Sequence, residues 1–201
     1  MPYNRFTLSQ AKKIFQLQTD EKTDLFSTVE EVKISDWLAA TLKKGVPLAL
    51  AINTEKAKSE MIIAPILIEF QNLAEPPVSL FSGIPFNVDR EKGLTGRCDF
   101  IVSRSTEQYF ITAPVITIVE AKNDNLKSGI GQCVAEMFGA KLFNEREDND
   151  ISTIYGAVTT GSSWNFLKLV GETVYIDVKE YYLVNVGKIL GILLSMVQEN
   201  G

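Results

Sequence analysis

From Ser35 the chain reads Ser-Asp-Trp-Leu-Ala-Ala-Thr-Leu-Lys-Lys-Gly, a capping hydroxyl followed by apolar positions at helical spacing and by two lysines before a glycine. This pattern predicts a short helix that stops at Gly45, within a first fifty residues that read as mostly helical. Over 54–73, Ala57, Met61, Ile62, Ala64, Leu67, Ile68 and Phe70 again recur at helical spacing, and Pro65 is placed to kink or restart that helix. Residues 78–86 and 94–102 then flank the turn-rich Asp89-Arg90-Glu91-Lys92-Gly93. They predict a β-hairpin whose first strand is confined by Pro85 to an edge or a bulge.

Residues 114–122 are apolar on both alternating faces until the last few positions, the pattern of a central strand covered on both sides. A helix is predicted over 127–146 and a strand over 152–160. Two further strands, 165–170 and 173–178, flank Gly171-Glu172, and an apolar helix spans 186–198. The order from Thr54 is therefore αβββαβ and then ββα. It predicts an α/β fold, a mixed central sheet flanked by helices. No Pro/Gly/Ser-rich stretch divides the chain, so 1–201 reads as one domain: a helical N-terminal extension (1–53), the αβββαβ core (54–160), and a C-terminal hairpin plus helix (161–201).

Composition narrows the chemistry. Apolar residues make up 45% and charged residues 22%, as in a folded domain, and the net charge of −5 argues against a surface coated in positive charge. No apolar run approaches a signal peptide or a membrane span, so a cytoplasmic location without membrane association is expected. Cys98 and Cys133 are too few for a disulfide framework and read as buried reduced thiols. The chain has no histidine, which excludes Ser-His-Asp and Cys-His catalysis and the usual zinc sites. Trp37, Trp164 and the phenylalanines, set in apolar segments, read as core.

Carboxylates and lysine remain. Side chains two apart on a strand share a face, so Glu120 and Lys122 emerge side by side with the Ala121 carbonyl between them. Asp99 lies inside the second hairpin strand, where aspartate is disfavoured, and a modest register brings it beside Glu120. Two carboxylates and a carbonyl form a hard-oxygen site suited to Mg²⁺ or Mn²⁺. Lys122 is placed to hold a phosphate or an attacking water, and a nearby cation would shift it towards its neutral form.

Asp99, Glu120-Ala121-Lys122 and the αβββαβ order over 54–160 resemble the PD-(D/E)xK, or restriction-endonuclease-like, superfamily of nucleases. The resemblance implies a restriction-endonuclease-like core in which Asp99 and Glu120 ligate metal and Lys122 assists hydrolysis. It also implies a helix acid, Glu60 with Glu69 competing for that position, and a glutamine, Gln132, in the helix after the triplet. Cys98 stands where the motif's name has proline. The expected function is metal-dependent cleavage of nucleic acid, DNA ahead of RNA, and a homodimer is left open. Two competing readings are a nuclease-fold protein that binds nucleic acid or protein without cutting, and a structural domain whose acids and lysine pair with one another.

Overall fold

Seven consecutive residues, Val115–Ala121, are buried, and the strand they form organises the molecule. A computed structural model gives the architecture of residues 2–149 and 151–198. In chain order the elements are α1 (Leu8–Phe15), β1 (Gln18–Asp20), α2 (Asp36–Ile52), α3 (Glu55–Lys58), a π-helical turn (Ser59–Ile63) and α4 (Ala64–Leu73). Next come β2 (Ser79–Pro85), β3 (Arg97–Ser103), β4 (Val115–Ala121), α5 (Leu126–Arg146), β5 (Thr153–Thr159), β6 (Ser163–Val170), β7 (Thr173–Tyr182) and α6 (Val186–Gln198).

The strands form one seven-stranded sheet in the order β1-β7-β6-β5-β4-β3-β2. The β1–β7 and β4–β5 pairs are parallel and the others antiparallel. Helices cover both faces, giving an α/β fold. Against one face pack Leu38 of α2, Ile66 and Phe70 of α4 and Leu193 of α6, with Val119 and Ala121 of β4. Against the other pack Ala11 and Phe15 of α1 and Cys133, Val134 and Met137 of α5, with Ile118 of β4. The alternation along β4 thus sends Ala121 to one layer and Glu120 to the other, towards α5.

Several expectations need correction. About half of the first fifty residues are helical, but 18–20 form the edge strand β1 and no helix occupies 21–35. The helix capped by Ser35 does not stop at Gly45 but runs to Ile52 and ends on Asn53 in the left-handed conformation. Gly45 marks a close crossing instead, since a Cβ there would lie 2.6 Å from the Met61 carbonyl oxygen. Trp37 is 48% exposed rather than core, whereas Trp164 is fully buried. Pro65 does perturb its helix. The turn before it widens to a π-helix in which the Ala64 N–H bonds the Ser59 carbonyl, relieving the crowding that a proline ring imposes one turn back. Pro85 ends β2, the outermost strand, where a missing N–H is tolerated.

Candidate active site at the end of the central strand

The β3–β4 register, which sets Phe100 opposite Val119, brings Asp99 level with Glu120. Next to it the β2–β3 ladder passes from Ser82–Phe100 to Ile84–Cys98 without a Gly83–Asp99 pair, and Gly83 takes φ +60°, a value that favours glycine. This gap, across which the register does not shift, leaves Asp99 without a ladder partner on β2. Its Oδ2 accepts the Ala121 N–H at 2.8 Å, in place of a backbone partner from β3. A strand residue directs its N–H and C=O to the same edge, so the Ala121 carbonyl also faces the Asp99 side.

Glu120 is buried, and its Oε1 accepts a short hydrogen bond from the Lys122 ammonium. Lys122 Nζ also donates to Gln132 Oε1 at 3.3 Å, and Gln132 Nε2 donates to Glu136 Oε1 at 3.0 Å. The stem of Lys122 passes where α5 lacks a side chain: a Cβ on Gly129 would stand 2.9 Å from Lys122 Cγ and 2.6 Å from Val158 Cγ1. The loop that leaves the triplet is anchored by the buried Lys58, whose Nζ donates to the Asn123 carbonyl at 2.6 Å and to Asn123 Oδ1 at 3.1 Å. Asp99, Glu120, Lys122 and Gln132 line one cavity of about 470 Å³, together with Asn4, Glu55 and Arg97.

Burial and the neighbouring Asp99 push the Glu120 carboxyl up to about 8, against the pull of Lys122. Burial also raises Asp99, partly offset by the Ala121 N–H and Lys122. For Lys122 burial acts downwards, but the carboxylates of Glu120, Glu55 and Asp99 outweigh it and the ammonium is held above its ordinary range. Without a second cation beside it, Lys122 is therefore charged rather than shifted towards neutrality. Burial, and then Glu120, push Glu136 well above the usual carboxylate range. Both cysteines are free and buried.

The helix acids fall differently from expectation. Glu60 is exposed, its side chain 58% accessible, and pairs with Lys56 at 2.9 Å across one helical turn. It shares with Asp99 and Ala121 the rim of a second cavity of about 260 Å³. Glu69 is buried on the cap of α2, accepting from the Ser35 N–H at 2.7 Å and the Ser35 hydroxyl at 2.8 Å, so its role is structural. The helix acid that reaches both cavities, as Asp99 does from β3, is Glu55, which was not singled out in the sequence. Its signal was present in Thr54, whose hydroxyl accepts the Ala57 N–H and fixes Glu55 in the first turn of α3. Lys58 and Glu136 were also missed. Of the scattered basic residues, Arg97 lines the 470 Å³ cavity, while Lys127 lines another and Arg104 follows the opposite end of β3.

Among the described residues no three Asp, Glu or Cys side chains are placed to hold a metal ion together. The donors present are two carboxylates and the Ala121 carbonyl. Glu120 Oε2 is buried without any hydrogen-bond partner, an orphaned hard oxygen of the kind a divalent cation takes. This donor set fits Mg²⁺ or Mn²⁺, ions that retain several waters beside one or two carboxylates. Compared with protein-family models, with curated proteins and with solved structures, the chain matches none. No helix among the described residues is long and apolar enough to cross a membrane.

Proposed function

We propose that the protein hydrolyses phosphodiester bonds of nucleic acid, DNA ahead of RNA, with Mg²⁺ or Mn²⁺ held by Asp99, Glu120 and the Ala121 carbonyl. The observation that carries this reading is the meeting of Asp99, Glu120, Lys122 and Gln132, from three different elements and the loop after β4, around one cavity with an unpartnered carboxylate oxygen. On this reading the core is restriction-endonuclease-like, with the order α4-β2-β3-β4-α5-β5 as its support. Held by these donors, the cation would supply Lewis acidity and neutralise charge that develops on the phosphate.

The chain's own residues supply the rest. Lys122, charged near neutrality, acts as a donor to a phosphate oxygen or to the attacking water rather than as a base. Gln132 accepts from the Lys122 ammonium and limits where it can swing. Arg97, on the cavity wall, adds a second positive group that reaches the backbone of a bound strand.

Purified protein with millimolar Mn²⁺ should nick or degrade a panel of single- and double-stranded DNA and RNA, and Asp99→Asn and Glu120→Gln should lose this activity. Wild-type protein inert on the whole panel, or full activity in both variants, overturns the proposal. A second reading, a non-cutting binding module, is favoured by one contact: Lys122 already neutralises Glu120 and makes a cation dispensable. Thermal melting separates the two, because a carboxylate pair that takes a cation is stabilised by millimolar Mn²⁺ through linkage and a closed ion pair is not.

A further inference from the structure

Glu136 is fully buried on α5, one helical turn beyond Gln132, and among the described residues no cation is bonded to it. Its Oε2 has no hydrogen-bond partner, and its nearest helical neighbours Cys133, Ala135 and Met137 are fully buried too. An acid in such a place is expensive unless it serves a purpose, since leucine would fill the position without a desolvation penalty. The one bond it makes points to that purpose. Glu136 Oε1 accepts Gln132 Nε2 at 3.0 Å, while Gln132 Oε1 accepts the Lys122 ammonium at 3.3 Å.

A carboxamide has two ends of similar shape and opposite hydrogen-bonding character. Turned over, Gln132 would aim its NH₂ at the Lys122 ammonium, donor against donor. We infer that Glu136 is a positioning residue, which holds the Gln132 amide with its carbonyl towards Lys122 and thereby fixes the ammonium beside Glu120. The acid acts through an acceptor oxygen alone and needs no charge, in keeping with the burial that favours its protonated form. This extends the proposed hydrolytic site, and its kinetic consequences rest on that reading; the geometry of the relay does not.

The test uses the full chain labelled with ¹⁵N-lysine. In the wild type the Lys122 ammonium, assigned by its loss in Lys122→Arg, gives a resolved signal with slow proton exchange. Glu136→Leu should abolish or broaden that signal and lower kcat roughly 10- to 100-fold with KM little changed, the scale for outer partners of a site. Glu136→Gln, which keeps the acceptor oxygen, should restore both. Glu136→Asp withdraws the oxygen by one methylene and gives the same loss in a variant that keeps the acid, should the leucine variant fail to fold. Gln132→Met combined with Glu136→Leu should be no worse than either alone. A Lys122 signal unchanged in Glu136→Leu and Glu136→Asp, or additive losses in the double variant, overturns the inference. A wild type that cuts nothing sinks the nuclease reading and leaves the Lys122 signal to decide this one.

Discussion

At its first residue β4 is clasped by α5 through Asn144, and at its end it meets α5 again through Glu120, Lys122, Gln132 and Glu136. Asn144 is fully buried, and its Oδ1 accepts the Val115 N–H while its Nδ2 donates to the Val115 carbonyl, both at 2.8 Å. The side-chain amide closes the strand end like another strand. At the other end Glu120 Oε2 and Glu136 Oε2 stay without partners. Both ends bury polar atoms, but the Asn144 amide is paired at both its oxygen and its nitrogen, whereas each carboxyl at the other end has one unpaired oxygen. Hydroxyls such as Thr117 Oγ1 are unpartnered elsewhere in the core, but a buried carboxyl costs more to leave unpaired, and two of them beside a charged lysine are what the proposed site rests on.

The contrast breaks first at the site end. Glu120→Gln or Asp99→Asn should reduce Mn²⁺-dependent cleavage by roughly 10²–10³-fold or more, measured as initial rates on labelled DNA, without lowering the melting temperature. Asn144→Ala should do the reverse. It leaves the buried Val115 N–H and carbonyl unpaired and should cost about 2–4 kcal/mol in urea denaturation, with the cleavage rate of the folded fraction unchanged. Equal stability losses in Glu120→Gln and Asn144→Ala would remove the distinction between the two ends.

The third prediction concerns pH. The Glu120 carboxyl titrates at about 8 in the folded protein and at 4.5 in its ordinary state. As pH rises between these values the unfolded chain releases the proton first, so the stabilisation is fully present below 4.5 and is lost as pH passes through 8. Glu136, also raised, adds in the same direction. The melting temperature of Glu120→Gln should therefore gain on the wild type from pH 5 to pH 8.5, and a constant gap would show that Glu120 ionises normally. The smallest effect is expected at Glu60→Ala, within about twofold in rate, because an exposed pair with Lys56 contributes little. Glu55→Ala should exceed it.

The strand Val115–Ala121 and the helix Val186–Gln198 were legible because their periodicity comes from burial on fixed sides. Asp99 and Glu120 were legible as candidates, but the sequence left their pairing open, and it is the β3–β4 register that sets them level. Other features depend on partners distant in sequence. Gly45 reads as a stop until Met61 is seen against it, and Trp37 reads as core because an apolar residue at helical spacing does not say whether its face is covered. Glu136 was not singled out, because only the tertiary structure turns it inward. Lys58 is similar: its partner, the Asn123 carbonyl, leaves no mark in the sequence.

The sheet order has a consequence for how the chain comes to be folded. β1 aligns in parallel with β7, Gln18 beside Thr173, so β1 has no sheet neighbour until the chain through β7 has been made. The helical layer and the β2–β5 core can form earlier through contacts of shorter range, leaving the addition of β1 as a late, non-local closure. With only three residues to dock, that closure gates little energy. It does give a nascent chain a lasting open flank at β7, where a second unfinished chain can pair by mistake.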